Sequence, residues 1–389
     1  MQKKEIITLD NKYIANTYAR FDIAIKEGKG ATLYDTDGNK YIDCATGIGV
    51  NIFGINDTKW KAAVEEQLDR IQHICNLYYS EPQVKLAKLL CEKTGAKKVF
   101  FSNSGAEANE CAIKTARKYS FDKYGEGRYE IITLKNSFHG RTIATLTATG
   151  QDCFHKYFSP FLDGFKDAEL TMEGILGEYT DKTCAVMIEV VQGEGGVNVL
   201  DKDFLIRLEK FCKERDILLI IDEVQTGNGR CGHLYSYMAY GLKPDLVSTA
   251  KGIGGGLPLG ACLMFDKCEK TLSHGDHGTT FGGNAVACAG AVSVVERLDD
   301  KLMLEVQGKS AYFKENLARI KGVTGVYGMG LLLGISCNKP ASEVAKKCLE
   351  KGLIVLTAQH DKVRFLPPLT ITKEEITETI KILDEVLAE

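Results

Sequence analysis

Between residues 97 and 265, short apolar runs rich in β-branched residues alternate with stretches whose apolar positions recur every three or four residues. The pattern predicts strands at 98–101, 129–134, 183–190, 217–222, 245–249 and 261–265. Helices are predicted at 106–119 and, with a clear amphipathic stripe, at 204–215. A run such as 217–221 is apolar without interruption, as expected of a strand covered on both faces. Strands alternating with helices imply a largely parallel α/β sheet flanked by helices. In such sheets ligands bind beyond the carboxyl ends of the strands.

The last hundred residues have a different rhythm. A helix at 342–351 is expected to stop at Gly352, and two strands follow at 353–356 and 362–366. Thr372 and Glu375 are spaced as a capping box. Ile376, Ile380, Leu383 and Leu387 then share one face of a final helix. These elements predict a smaller α+β lobe, joined by the N-terminal fifty residues. The expected division is 1–50 with the small lobe, 51–285 as the large domain and 286–389 as the small one.

Composition narrows the function classes. With 389 residues, 44% hydrophobic and 26% charged, the chain has ordinary globular character and room for two lobes. A formal net charge of −3, with acids and bases interleaved, argues against a nucleic-acid partner. No apolar run is long enough to cross a bilayer, and residues 1–10 lack the apolar core of a secretory signal. The thirteen cysteines contain no Cys-x-x-Cys and sit mostly in apolar segments. They read as free thiols in a reducing, cytoplasmic setting, with no metal site.

Chemistry-bearing residues follow the predicted strands. Ser102-Asn103-Ser104-Gly105-Ala106-Glu107-Ala108-Asn109 joins a strand to a helix, where small residues let backbone N–H groups approach an anion. Gly252-Ile253-Gly254 has Leu257 where a dinucleotide fingerprint needs glycine. Gly308-Lys309-Ser310 has Met303 where a Walker loop needs one. Asp222-Glu223-Val224-Gln225 ends one buried strand and Ala250-Lys251-Gly252 follows another. A strand-end aspartate is usually a cap, and a lysine before glycines is usually a solvated charge. Together they suit pyridoxal chemistry, which needs a lysine to form a Schiff base and a carboxylate to hold the ring nitrogen.

In order along the chain stand Val99-Phe100-Phe101-Ser102-Asn103-Ser104-Gly105, Ser137-Phe138-His139-Gly140-Arg141-Thr142, Gln192-Gly193-Glu194-Gly195-Gly196, Asp222-Glu223-Val224-Gln225-Thr226-Gly227, Ala250-Lys251-Gly252 and His277-Gly278-Thr279-Thr280-Phe281-Gly282-Gly283-Asn284. The ordered set resembles the class III aminotransferases, and within them the acetylornithine branch. The likeness runs from Tyr18-Ala19-Arg20-Phe21 to Arg364-Phe365-Leu366-Pro367-Pro368-Leu369.

The resemblance implies a fold type I pyridoxal phosphate-dependent transferase, with a mostly parallel seven-stranded sheet in the large domain and a smaller α+β domain. It implies that Lys251 carries pyridoxal 5'-phosphate and moves the proton. Asp222 is then expected at the pyridine nitrogen, Gln225 at the phenolic oxygen, and Phe138 and Val224 on the two ring faces. The phosphate is expected at the Gly105 and Ala106 amides, with Thr280 arriving from the other subunit of a homodimer. Arg141 is assigned a distal substrate carboxylate and Arg364 a proximal one. Glu194 is expected to pair with Arg364 until glutamate arrives, because a buried charge left alone costs about 3–5 kcal/mol. Tyr18 and Thr279 are expected at the donor end of the pocket. His139 reads as a packed histidine and Glu189 as a residue that orients a loop.

The implied reaction moves the ω-amino group of N2-acetyl-L-ornithine to 2-oxoglutarate, as in arginine biosynthesis. Gly47 stands where ornithine aminotransferases carry a tyrosine, which favours an acylated donor. Succinylornithine, succinyl-diaminopimelate, ornithine and 4-aminobutyrate are rival donors. A non-catalytic pyridoxal phosphate-binding protein, and a racemase or aminomutase, are rival classes. The chain departs from the family pattern at Gly54-Ile55-Asn56-Asp57, Val190, Asn228, Cys231 and Ala285.

Overall fold

The computed structural model describes residues 1–359 and 361–389. Seven strands form the large sheet: β1 Lys98–Ser102, β2 Glu130–Leu134, β3 Phe165–Ala168, β4 Thr183–Ile188, β5 Leu218–Asp222, β6 Leu246–Thr249 and β7 Gly260–Met264. Their order is β1-β7-β6-β5-β4-β2-β3. Only β7 runs against its neighbours β1 and β6; the other adjacent pairs are parallel. The uninterrupted apolar runs have their physical reason here, since every residue of β4, β5, β6 and β7 is buried. Val186, Ile188, Leu219 and Ile221 face one apolar cluster, and Ala185, Met187, Leu218 and Ile220 face another. This is the two-residue alternation of a sheet covered on both sides.

Six of the seven strands are those expected from the apolar pattern. The seventh, β3, has the sequence Phe-Lys-Asp-Ala and lies at the sheet edge, where only Ala168 is fully buried. Charged residues are favoured on an edge strand because they blunt further pairing, and they also erase the apolar signal.

The small lobe is built on an antiparallel sheet of Val323–Met329, Leu332–Cys337, Lys362–Phe365 and Leu356–Ala358, in that order. Helices Asp300–Leu317, Ala341–Glu350 and Lys373–Ala388 share its apolar cluster. The capping box is present: Thr372 Oγ1 accepts from the Glu375 amide at 3.1 Å, and Glu375 returns an acceptor to the Thr372 amide at 2.8 Å. Ile376, Leu383 and Leu387 are buried on the predicted face.

The single strand expected at 353–356 is instead divided. Leu353–Ile354 pairs in parallel with Lys40–Asp43 of the N-terminal segment, whereas Leu356–Ala358 pairs with Lys362–Phe365. Val355, buried between them, is where the chain changes sheets. Gly352 has φ +83, and a Cβ there would lie 2.9 Å from the Lys40 carbonyl oxygen, so the sharp turn and the close approach both need glycine. Helix Ala285–Glu296 contributes Ala287, Cys288 and Ala291 to the cluster under the large sheet, so its packing belongs to that side.

The strand ends place the site. Ser102, Asp222 and Thr249 end β1, β5 and β6 at one rim of the sheet, and each is followed by a turn carrying one of the motifs. Asp222 pairs with Ser248, and Thr249 with Ala261 on the next strand, so β5 and β6 finish in near register.

Candidate active site

A cavity of about 460 Å³ opens at that rim. Lys251 and Asp222 both line it, together with Gly105, Ala106, Phe138, Val224 and Gln225 from the predicted cofactor set. Arg141 and Glu194 of the predicted substrate set line it as well. Residues separated by up to 146 positions (Gly105 to Lys251) therefore meet because the strands that carry them end side by side.

Lys251 opens the short 3-10 turn Lys251–Gly254 with φ +47, a left-handed conformation costly for a side chain with a Cβ. Burial pulls its amine below the usual lysine range, although Glu194, Asp222 and Glu189 oppose that effect. The result favours the free base, the nucleophilic form. The carbonyl preceding the turn is held from outside the strand. Asn228, also left-handed with φ +58, donates from Nδ2 to the Ala250 carbonyl at 3.2 Å and to Thr249 Oγ1 at 3.1 Å. Asparagine tolerates that backbone better than the apolar residue usual in the family, so this departure acts as a local brace.

Three donors hold the Asp222 carboxylate. Oδ1 accepts from the Val224 amide at 2.9 Å, while Oδ2 accepts from Asn109 Nδ2 at 2.8 Å and meets His139 Nδ1 at 2.8 Å. His139, expected to be a packed histidine, is buried and also joins the Asp222 network. Burial alone would lower the imidazole pKa; the Asp222 hydrogen bond and charge overcome it, and the net shift is upward. Glu189 accepts from the Phe138 amide at 2.9 Å, so it does hold the loop, and burial pushes its carboxyl up to about 7. The sequence offered no signal for the His139 contact, which spans 83 positions.

We expect His139→Phe to lower kcat roughly tenfold or more, since a hydrogen bond to a charged group is worth about 1.5–3 kcal/mol. The sign of its pH effect follows from the raised pKa. Such a group adds stability that is complete below its unfolded value near 6.5 and fades as pH rises through the folded value. Denaturant unfolding of apoprotein should therefore show wild type losing stability relative to His139→Phe as pH rises above 6.5. Parallel profiles would mean that no proton is held there.

The expected phosphate cradle is the first turn of helix Gly105–Tyr124. Ser104 caps it, its Oγ accepting from the Glu107 amide at 3.2 Å. Helical geometry leaves the Gly105 and Ala106 N–H groups without an intrahelical acceptor, at the positive end of the dipole. A Cβ on Gly105 would come within 2.5 Å of Val224 Cγ1, so the absence of a side chain lets Val224 close one wall.

Arg364 lies behind the cavity wall and is almost fully buried. Its Nη1 is 2.8 Å from Glu194 Oε1 and donates to Gln225 Oε1 at 3.0 Å; its Nη2 donates to Glu194 Oε2 at 3.1 Å. Burial alone would raise the Glu194 carboxyl pKa, but Arg364 holds it below the usual range. The loop bearing Glu194 is tightly seated. A Cβ on Gly193 would lie 2.1 Å from Gln225 Oε1, and one on Gly195 would lie 2.1 Å from the Asn136 carbonyl oxygen. The Glu194 carbonyl also accepts from the Gln359 amide at 3.2 Å.

Three expected residues stand apart from this cavity within one chain. Tyr18 is 71% exposed, Thr280 is exposed, and Thr279 accepts hydrogen bonds from Asn103 Nδ2 and the Gly282 amide, each at 3.2 Å. The other departures are absorbed structurally. Asp57 caps helix Thr58–Leu68 through the Trp60 amide and pairs with Arg297 at 2.9 Å. Ala285 begins a helix already capped by Asn284, which accepts from two amides. Val190 and Cys231 are buried core residues.

A model of the family described as aminotransferase class-III matches residues 13–387. The chain belongs to that family. An acetylornithine aminotransferase of Haemophilus ducreyi is 48% identical over 396 residues, covering 100% of each chain. A succinylornithine transaminase of Yersinia pseudotuberculosis is 43% identical over 389 residues, covering 95% of this chain and 93% of its own. Among solved structures, an ornithine aminotransferase of Toxoplasma gondii superimposes with a TM-score of 0.94 at 29% identity, covering 100% of this chain and 95% of that one. This class-III aminotransferase thus has the type I fold, and its cofactor is pyridoxal phosphate.

The residues present fit that group. A lysine amine shifted toward its free base, a carboxylate fixed by three donors, a phenyl ring and a valine wall all border one cavity. The side-chain-free helix start supplies the anion end. Among the described residues no cluster could hold a metal ion.

Proposed function

We propose that this transaminase takes the ω-amino group of N2-acetyl-L-ornithine and delivers it to 2-oxoglutarate, in two alternating half-reactions. The observation that carries the reading is the unequal state of two arginines beside one lysine. Arg364 is paired with Glu194, whereas among the described residues no carboxylate pairs with Arg141. An ω-amino donor presents one carboxylate far from its reacting carbon, and glutamate presents one far and one near. Arg141 serves the distant carboxylate in both cases, and Arg364 serves the near one only when Glu194 withdraws.

Bound pyridoxal phosphate supplies an aldehyde that captures the amino group and a ring that accepts the electron pair released when the adjacent C–H breaks. Lys251 would hold the aldehyde between turnovers, and its Nζ would carry the proton from one carbon to the other. Asp222, fixed in place by its donors, would face the ring nitrogen. Gln225 would reach the phenolic oxygen, Phe138 and Val224 would cover the ring faces, and the Gly105 and Ala106 amides would take the phosphate.

The acylated donor is favoured by full-length relatives bearing the acetylornithine name at 40–48% identity and by Gly47, which offers no ring for a free α-amino group. A panel of N-acetylornithine, N-succinylornithine, succinyl-diaminopimelate, ornithine and 4-aminobutyrate with 2-oxoglutarate tests it. We expect the highest kcat/KM for N-acetylornithine; a clear preference for free ornithine would sink the assignment.

We also infer a homodimer with shared sites, working in the cytoplasm. Leu77, Tyr78, Tyr79 and Phe281 are 89%, 64%, 101% and 61% exposed, an apolar group suited to cover by a second copy. In the dimer Thr280 of one subunit would complete the phosphate site of the other, and Tyr18 and Thr279 would approach the donor end. No helix among the described residues is long and apolar enough to cross a membrane, and the free cysteines suit a reducing compartment. The proposed division follows packing: residues 1–50 with the small lobe, and a small lobe that begins after Glu296 rather than at 286.

A further inference from the structure

Arg141 is positioned in a different way from Arg364. Its guanidinium carbon lies 3.9 Å from the centroid of the Phe154 ring and 5.5 Å from that of Phe138. The two rings meet edge to face, 5.8 Å apart at 79°. Phe154 ends the 3-10 turn Asp152–Phe154, in a loop where Asp152, Cys153, Tyr157 and Phe158 are all exposed. Phe154 itself turns inward and is half-buried.

An aromatic face attracts a cation without occupying its N–H donors. A carboxylate partner would hold Arg141 equally well but would have to be displaced by every substrate. Glu194 imposes that condition on Arg364, which one half-reaction must silence. The distal carboxylate is common to both half-reactions, so its receptor gains nothing from a gate.

We propose that Phe154 is a positioning residue for the distal-carboxylate site, holding the Arg141 guanidinium with its donors open to the cavity. The inference rests on the reading that Arg141 receives that carboxylate. Through its edge contact with Phe138, the same ring ties the substrate arginine to the wall beside the cofactor.

The test uses holoenzyme with Phe154→Leu, the milder Phe154→Met, and Phe154→Tyr as the conservative rescue. KM for N-acetylornithine and for 2-oxoglutarate should both rise about 3- to 30-fold in the Leu and Met variants, the span of a cation–π contact, with kcat little changed. Calorimetric Kd for glutarate, a non-reacting dicarboxylate, should weaken in parallel. Phe154→Tyr should restore both. A primary amine without a carboxylate should react with unchanged kcat/KM. Arg141→Met provides the reference. If it leaves glutarate binding intact, the reading of Arg141 fails. If it weakens glutarate binding while Phe154→Leu and Phe154→Met do not, the role of Phe154 fails. Loss of cofactor occupancy without loss of glutarate affinity would also overturn the proposal, assigning Phe154 to Phe138 alone.

Discussion

Replacing Lys251 by alanine is expected to reduce multiple-turnover transamination at least about a thousandfold, because one amine serves as both the attachment point and the proton carrier. The fold should survive: the side chain faces a cavity, and its removal leaves the neighbouring Asn228 bonds to Ala250 and Thr249 in place. The left-handed φ of +47 remains a strain for alanine as it is for lysine, so thermal stability should change little. Two measurements settle the point. Steady-state assay with N-acetylornithine and 2-oxoglutarate gives the loss. Borohydride reduction followed by peptide mass analysis should fix cofactor mass to the peptide containing residue 251 in wild type and to none in the variant. Retained turnover in Lys251→Ala would remove the basis of the proposed function.

Arg364→Ala should separate the two half-reactions. The glutamate half loses the partner of its near carboxylate, a charge-assisted bidentate contact, and should slow by about 2–5 kcal/mol, roughly 30- to 5,000-fold. The acetylornithine half loses no direct contact. It is affected only through Glu194, whose depressed pKa depends on Arg364 and whose carboxylate would be left in the wall without its cation. Glu194 has about a quarter of its side chain exposed, so water can partly compensate. Single-turnover absorbance changes, with each amino donor added alone, measure the halves separately. Equal losses in both would count against the switch. Glu194→Gln provides the opposite case: the glutamate half should be spared or improved, and the acetylornithine half should suffer from an arginine that is no longer neutralised.

Much of this architecture is legible in the amino-acid sequence. The large sheet could be read because its inner strands are buried on both faces, which leaves apolar runs with turn signals at each end. The meeting of the candidate cofactor residues in one cavity could be read because strand ends in such a sheet converge, so Asp222 and Lys251 only had to follow two strands to meet. What escaped the sequence had physical reasons. β3 is an edge strand whose lysine and aspartate hide it. The break at Val355 conserves apolar character on both sides, so one strand and two strands look alike until their partners, Lys40–Asp43 and Lys362–Phe365, are known. The His139–Asp222 contact and the Arg141–Phe154 stack are tertiary meetings with no periodicity to announce them. Asn228 was visible as a departure, but its purpose depended on a left-handed backbone that only the fold reveals.

The glycines flanking Glu194 carry a consequence for speed. Their missing methyl groups let Gln225 and the Asn136 carbonyl approach the backbone on either side, which seats the loop closely against its neighbours. On the proposed Glu194 switch, alternation between two amino acids would need only torsions about that residue's own side-chain bonds, rather than the microsecond-to-millisecond movement of a flap. An enzyme that reads two differently shaped molecules with the same pocket can in this way do so without waiting for its main chain.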